Sequence, residues 1–209
     1  MTMVEKHKTN WRAGLAVYAQ PRVLAVLFLG FSSGLPLALT GATLSAWMTD
    51  FNVDLAVIGF FALAGLPYTF KYLWAPLIDR LRIPVLADRL GHRRAWLIVI
   101  QVFLALAILL LSGVDPLAQP ALTAALAVAV TFLSASQDIV IDAFRIESLT
   151  EDQQGAGAAV YIGGYRVAML VSGAGSLYLA EFYGWGTSYI AMAALMAIGI
   201  ATVLISREP

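Results

Sequence analysis

The chain has 209 residues, 60% of them hydrophobic and 12% charged, with 13 basic side chains against 13 acidic ones. Soluble globular domains are about 25% charged, so this chain lacks the polar surface to cover a globule in water, and lipid must be its solvent over much of its length. A net charge of zero argues against nucleic-acid binding, and the absence of cysteine excludes disulfides and thiolate metal sites.

Six apolar runs are long enough to cross a bilayer, which takes about 20 residues of helix. In chain order we predict a cytoplasmic N-terminal segment at 1–22, spans at about 23–47, 55–78, 95–112, 121–144, 156–180 and 188–205, and the start of a cytoplasmic linker at 206–209. Only helices and closed barrels satisfy every backbone group in hydrocarbon. The runs are too long and too continuously apolar for barrel strands, so they predict an all-α membrane protein.

The basic residues predict which way the spans point. Eleven of the 13 lie in the N-terminal segment, in the loops after spans two and four, or after span six, and the other three loops contain none. Short cytoplasmic loops are enriched in Lys and Arg. The distribution therefore predicts a multi-pass inner-membrane protein with both termini in the cytoplasm.

Four charged residues fall inside predicted spans: Lys71 in span two, Asp138 and Asp142 in span four, and Arg166 in span five. Each charge at the bilayer centre costs a few kcal/mol, so such residues usually face a protein interior and pair. We expect a buried, neutral polar cluster beside an aqueous cavity. Two structural alternatives stay open: Asp142 as a helix-end ion pair with Arg145, and Asp138 with Lys71 as a purely structural pair.

The polar residues also predict how the spans are arranged. Spans two, four and five carry further candidates for a binding site, namely Tyr68, Gln137 and Tyr165, whereas spans three and six carry no charge. We expect spans one, two, four and five to surround a common cavity, with three and six outside. The middle span of each triplet carries one lone cation, which predicts a 3+3 inverted repeat of the kind that builds secondary transporters.

The loop after span two contains two acidic–basic pairs and a basic tail: Asp79 and Arg80, Asp88 and Arg89, and then Gly91, Arg93 and Arg94. It resembles the Gly-x-x-x-Asp-Arg-x-Gly-Arg-Arg signature of the major facilitator superfamily, with Ala75 where the first glycine belongs. In that family the acidic residue acts as a conformational latch. The resemblance assigns this role to Asp79 or to Asp88.

Residues 70–80 and 134–145, together with Pro36 and residues 163–166, resemble the AmpG-type muropeptide permeases and their relatives, which include acetyl-CoA transporters. The resemblance implies the N-terminal six-helix half of a twelve-helix major facilitator fold, with substrate between the halves. It further implies proton-driven import of anhydro-muropeptides for cell-wall recycling, without a cofactor. The implied partners are a small-molecule substrate, protons, the lipid bilayer, and either a second six-helix half or a second copy.

Two other classes of function compete with a transporter. An intramembrane enzyme is not expected, because His7 and His92 lie in cytoplasmic segments and no His-Glu-x-x-His zinc motif occurs. A non-transporting membrane assembly subunit stays open, as does transport of another solute. For a transporter, we expect Asp138 to couple protons, and Lys71 and Arg166 to attract anionic groups of the substrate.

Overall fold

The computed structural model describes residues 16–209, and these are helical without any strand. The prediction of an all-α fold is therefore confirmed, while most of the predicted N-terminal segment 1–22 lies outside the described residues. The helices, in chain order, are α1 Pro21–Asp50, α2 Leu55–Leu73, α3 Ala75–Arg80, α4 Leu86–Leu90, α5 His92–Leu111 and α6 Pro120–Ser148, followed by a helical stretch from Glu151 to Ile205.

The stretch from Glu151 to Ile205 is two antiparallel helices. Gly184 has φ 83° and ψ 159°, a conformation that favours glycine and interrupts the helix. The Ser176 and Ser188 hydroxyls are 2.6 Å apart, whereas twelve residues of straight helix would separate them by about 18 Å. The chain therefore reverses at Gly184, into α7 at residues 151–183 and α8 at residues 185–205, and predicted spans five and six lie one in each.

The predicted second span, 55–78, departs from a single continuous helix. Helix α2 contains 3₁₀ segments at Ala62–Gly65 and Lys71–Leu73; an α-helical turn at Leu66–Phe70 separates them, and α3 follows the second. Pro67 and Pro76 stand in the first turns after these breaks, where a residue without an N–H is tolerated but cannot extend the preceding helix. The positions of these two prolines in the sequence are therefore consistent with the interruptions of the α-helix.

Helices α1 and α7 approach each other main chain to main chain. A Cβ added at Gly30 or Gly34 would collide with the carbonyl oxygens of Tyr161 or Tyr165, and one added at Gly164 would collide with that of Leu27. Small residues allow such close helix contacts in membranes. Each helix also has a short π-helical segment, Leu39–Thr43 in α1 and Val171–Gly175 in α7, and Thr43 of the first donates a hydrogen bond to Ser172 O of the second.

The remaining contacts place α1 and α6 side by side, with α2 and α5 against α6, and α8 against α1 and α5. Burial within the chain differs between predicted spans two and three. In its most apolar stretch α5 is 44% buried, but α2 is only 6% buried, because α2 packs chiefly on α6. The inverted-repeat relation between the two triplets stays a prediction.

Candidate functional site

Asp138 lies at the meeting point of four helices. It is 9% exposed on α6, its Oδ2 is 4.0 Å from Lys71 Nζ of α2, and its Oδ1 accepts a hydrogen bond of 2.5 Å from Ser33 Oγ of α1. The Ser33 hydroxyl is in turn 2.9 Å from Tyr161 Oη of α7. Spans one, two, four and five thus meet at one carboxylate, and each of its oxygens has a separate partner.

Lys71 lies where the backbone of α2 changes from α-helical to 3₁₀ winding. It begins the 3₁₀ segment Lys71–Leu73, and the next residue, Trp74, is anchored to α6 by a 3.0 Å hydrogen bond from Nε1 to Ser136 Oγ. The Trp74 ring also packs on Phe132, with centroids 4.9 Å apart. The Lys71 side chain is 36% exposed, so its ammonium bridges the buried carboxylate and an open surface.

Gln137, predicted at the binding site, belongs instead to the packed interior. It is fully buried, and its Nε2 donates to Ser32 O at 3.0 Å. The Ser32 hydroxyl is also 3.4 Å from Gln101 Nε2 of α5. Two adjacent residues of α1, Ser32 and Ser33, therefore form hydrogen bonds with two adjacent residues of α6, Gln137 and Asp138. Gln137 therefore bonds α1 in this chain, and its predicted contact with substrate stays a prediction.

Tyr68 and Tyr165 border the Asp138 cluster. The Tyr68 hydroxyl is buried without a hydrogen-bond partner among residues 16–209, and the same holds for Ser134, one turn before Asp138 on α6. Tyr165 follows Tyr161 by one turn on α7, with ring centroids 6.2 Å apart. The assignment of Tyr68 and Tyr165 to the binding site stays a prediction.

Arg166 and Asp142 lie outside the buried pair. Arg166 is exposed and makes no hydrogen bond or ion pair within the described part of the chain, because the packed face of α7 is the opposite one, with Gly164 and Ala168. Asp142 is 45% exposed and 3.7 Å from Arg145. Within this chain, therefore, Asp138 and Lys71 are paired, whereas Asp142 lies beside Arg145 and Arg166 is separate from both; the cluster of all four charges stays a prediction.

A second charged network links the helices at the opposite end of α6 from Pro120. Arg93, at the start of α5, is 2.6 Å from Asp79 of α3 and contacts both carboxylate oxygens of Glu147 of α6 at 2.7 and 3.1 Å. Arg94 donates to Val203 O at the end of α8 at 2.9 Å. The motif residues thus tie α3, α5, α6 and α8 together.

Glycine is required at position 91 for two reasons. Its φ is 94°, and a Cβ there would collide with the Glu208 side chain. Glu208 accepts hydrogen bonds from the main-chain N–H groups of Arg93 and Arg94 at 2.7 and 3.0 Å, which caps the start of α5. The glycine of the motif therefore makes room for a carboxylate from the end of the chain.

The structure distinguishes the two acidic–basic pairs of the loop. Asp79 bonds Arg93, whereas Arg80, Asp88 and Arg89 are exposed and form no side-chain hydrogen bond or ion pair within residues 16–209. Sequence reasoning did not find Glu147 or Glu208, the other acidic members of the network. Glu147 lies two residues after Arg145, at the end of span four. An acidic residue at that position could have indicated an ion pair with the basic loop after span two.

Long apolar helices around the Asp138–Lys71 ion pair, with a charged network at one end, indicate a multi-pass membrane protein. The profile described as Major Facilitator Superfamily matches residues 26–209, and the chain belongs to that superfamily. This membership makes the chain part of a transport protein and not an enzyme, as predicted. Among residues 16–209 no three His, Cys, Asp or Glu side chains group closely enough to hold a metal ion.

The chain is also similar to curated proteins over most of its length. It is 48% identical over 196 residues to the anhydromuropeptide permease of Escherichia coli K12, which covers 93% of this chain and 39% of that protein. It is 40% identical to an uncharacterised protein of Haemophilus influenzae, of which the match covers 44%. It is 37% identical to "Putative transporter AmpG 4" of Rickettsia felis, of which the match covers 47%. The chain thus spans less than half the length of these relatives.

Proposed function

We propose that this chain forms the N-terminal six-helix half of a proton-driven permease that imports anhydro-muropeptides across the inner membrane. Similarity to the anhydromuropeptide permease supports the substrate class. The observation that supports coupling is the buried Asp138, held between Lys71 and the Ser33 hydroxyl. Both termini of the chain are assigned to the cytoplasm because the basic residues lie at that end.

Coupling follows from competition for one ammonium group. Lys71 is partly exposed, so an anionic group of the substrate can approach it from the open side. When the ammonium turns to that anion, the Asp138 carboxylate loses its compensating charge, and a buried charge without a partner is costly. Asp138 then takes up a proton, and substrate and proton cross together. Release of the substrate returns Lys71 to Asp138, which gives up the proton on the other side.

Ser33 and Tyr161 position Asp138 in both protonation states. With the carboxylate ionised, Ser33 donates to Asp138 and the Tyr161 hydroxyl donates to Ser33. With the carboxyl protonated, the same two hydrogen bonds persist with their donors reversed, because a hydroxyl both donates and accepts. The chain of hydroxyls therefore keeps the carboxyl group in place while its proton comes and goes.

We further propose that the second half of the transporter faces α2 and α7. Large apolar side chains of α2 are exposed, among them Leu55 at 78% and Phe60 at 71%, and Arg166 is exposed on α7. A second six-helix half, or a second copy of this chain, would cover these side chains and place Arg166 beside the substrate path. In a non-transporting subunit, the Asp138–Lys71 pair would have no role in coupling.

In this arrangement, the network of Asp79, Arg93 and Glu147 is the conformational latch. It joins α3 to the ends of α5 and α6 through a single guanidinium group. Opening this end of the bundle requires Arg93 to release one of its two carboxylates. The latch is therefore strong when both ion pairs are formed and weak when either acid is neutral.

Uptake by membrane vesicles containing the full-length protein tests this function. We expect labelled anhydro-muropeptide to accumulate when the outside is made acidic, and acetyl-CoA in excess to leave this uptake unchanged. Inhibition by acetyl-CoA would instead favour transport of that solute. Uptake that neither requires the protein nor responds to the pH gradient would contradict the proposal.

A further inference from the structure

A groove at one end of the bundle is separate from the Asp138 cluster. It has a volume of about 1010 Å³ and lies where α1 begins and α6 and α8 end. Its walls are apolar side chains of two helices: Leu24, Ala25 and Phe28 of α1, and Ile198, Ala201 and Ile205 of α8. None of Asp138, Lys71, Ser33 and Tyr161 lines it.

Among residues 16–209, the charged groups around the groove leave two arginines without a carboxylate partner. Glu147 is bonded by Arg93 through both oxygens, and both oxygens of Glu208 accept main-chain N–H groups. Arg22 uses one N–H on Ser148 O, and Arg207 donates to no atom of residues 16–209. Arg22 and Arg207 line the groove with guanidinium N–H groups that no atom of residues 16–209 accepts, so its rim offers charged hydrogen-bond donors to an anion.

We propose that this groove binds an anionic phospholipid. Anionic phospholipids of the surrounding membrane have a negative headgroup and apolar chains. The headgroup matches the arginine rim of the groove, and the chains match its apolar walls. Basic pockets between membrane helices on the cytoplasmic side are suited to anionic headgroups. The groove lies at the end of the helices where the basic loops lie, so its rim reaches the headgroups of the cytoplasmic leaflet. The bound lipid joins α1 to α8 at the end where the latch is.

Native mass spectrometry of the full-length protein, titrated with phosphatidylglycerol or phosphatidylcholine, tests the proposal. We expect wild type to retain one phosphatidylglycerol in clear preference to phosphatidylcholine. R207Q, which breaks no hydrogen bond of the described structure, should weaken phosphatidylglycerol binding about fivefold, the usual contribution of one arginine near an anionic membrane surface. R22Q should act similarly. Arg82→Gln, an exposed change in the loop after α3, is the matched control and should leave binding unchanged.

Two further arms separate a lipid from other occupants. Ala201→Trp places a larger side chain in the apolar part of the groove without changing its charge, and it should weaken phosphatidylglycerol binding. Millimolar inorganic phosphate should not displace the lipid. Equal retention of both lipids by wild type, or unchanged preference in R207Q and R22Q, would overturn the proposal. Displacement by phosphate would reduce the site to an anion site, and stronger lipid binding after deletion of residues 1–15 would assign the groove to that segment.

Discussion

Replacing Asp138 with Asn removes the titrating group while leaving its surroundings almost unchanged. The amide has the size of the carboxyl group, and its oxygen still accepts the hydrogen bond from Ser33. Breaking a fully buried ion pair costs about 3–5 kcal/mol, but the Lys71 side chain is 36% exposed and keeps access to water. We therefore expect the variant to fold and insert, with a stability loss well below that range.

The effect on accumulation is set by the energy of the proton gradient. One pH unit corresponds to about 1.36 kcal/mol per proton, a factor of ten. With one proton per substrate and the membrane potential clamped at zero, wild-type vesicles should accumulate anhydro-muropeptide about tenfold across one pH unit. Asp138→Asn should only equilibrate it, while exchange of labelled for unlabelled substrate continues.

Asp142→Asn provides the matched control for this experiment, since Asp142 is one turn away and exposed beside Arg145. It should accumulate substrate like wild type. The reasoning is refuted if Asp138→Asn accumulates substrate about tenfold under the same gradient. In that case Asp138 has a structural role, and the coupling group lies elsewhere in the transporter.

Three further experiments test the helix contact, the latch and the orientation. Gly34→Leu should sharply lower the amount of folded protein in the membrane, measured by size-exclusion chromatography, because its side chain would meet the main chain of α7. Asp79→Asn should change the transport rate several-fold, whereas Asp88→Asn, which removes no ion pair of the described structure, should not. Cysteine at Arg82 should resist an impermeant thiol reagent in intact spheroplasts, and cysteine at Gln119 should react; the reverse pattern would overturn the orientation.

The sequence predicts the fold well because apolar length is a strong signal. The long helices α1, α2, α5 and α6 and the stretch from Glu151 to Ile205 overlap the predicted apolar runs, and the lone charges inside these runs point to Asp138 and Lys71 as partners. The acidic–basic motif likewise predicts a charged network at one end of the bundle. What the runs do not show is where helical winding changes, as it does at Lys71.

The site residues whose surroundings differ from the expectation do so for a common physical reason. Depth along a helix follows from residue number, but the face of the helix follows from packing, which a single sequence does not reveal. Arg166 is deep in its span and yet on the exposed face of α7, whereas Gln137 is on the packed face of α6. Ser33 and Tyr161 were missed because hydroxyl groups in apolar runs usually bond their own helix, and only the α1–α7 contact brings them to Asp138.

Proton movement during substrate uptake tests the coupling of Asp138 to transport most directly. A sensitive pH electrode in a lightly buffered suspension of vesicles, without an imposed gradient, records whether adding anhydro-muropeptide makes the medium more alkaline. We predict alkalinisation by wild type at about one proton for each substrate taken up, and none by Asp138→Asn. Uptake by wild type without any change in external pH would contradict proton coupling through this carboxylate.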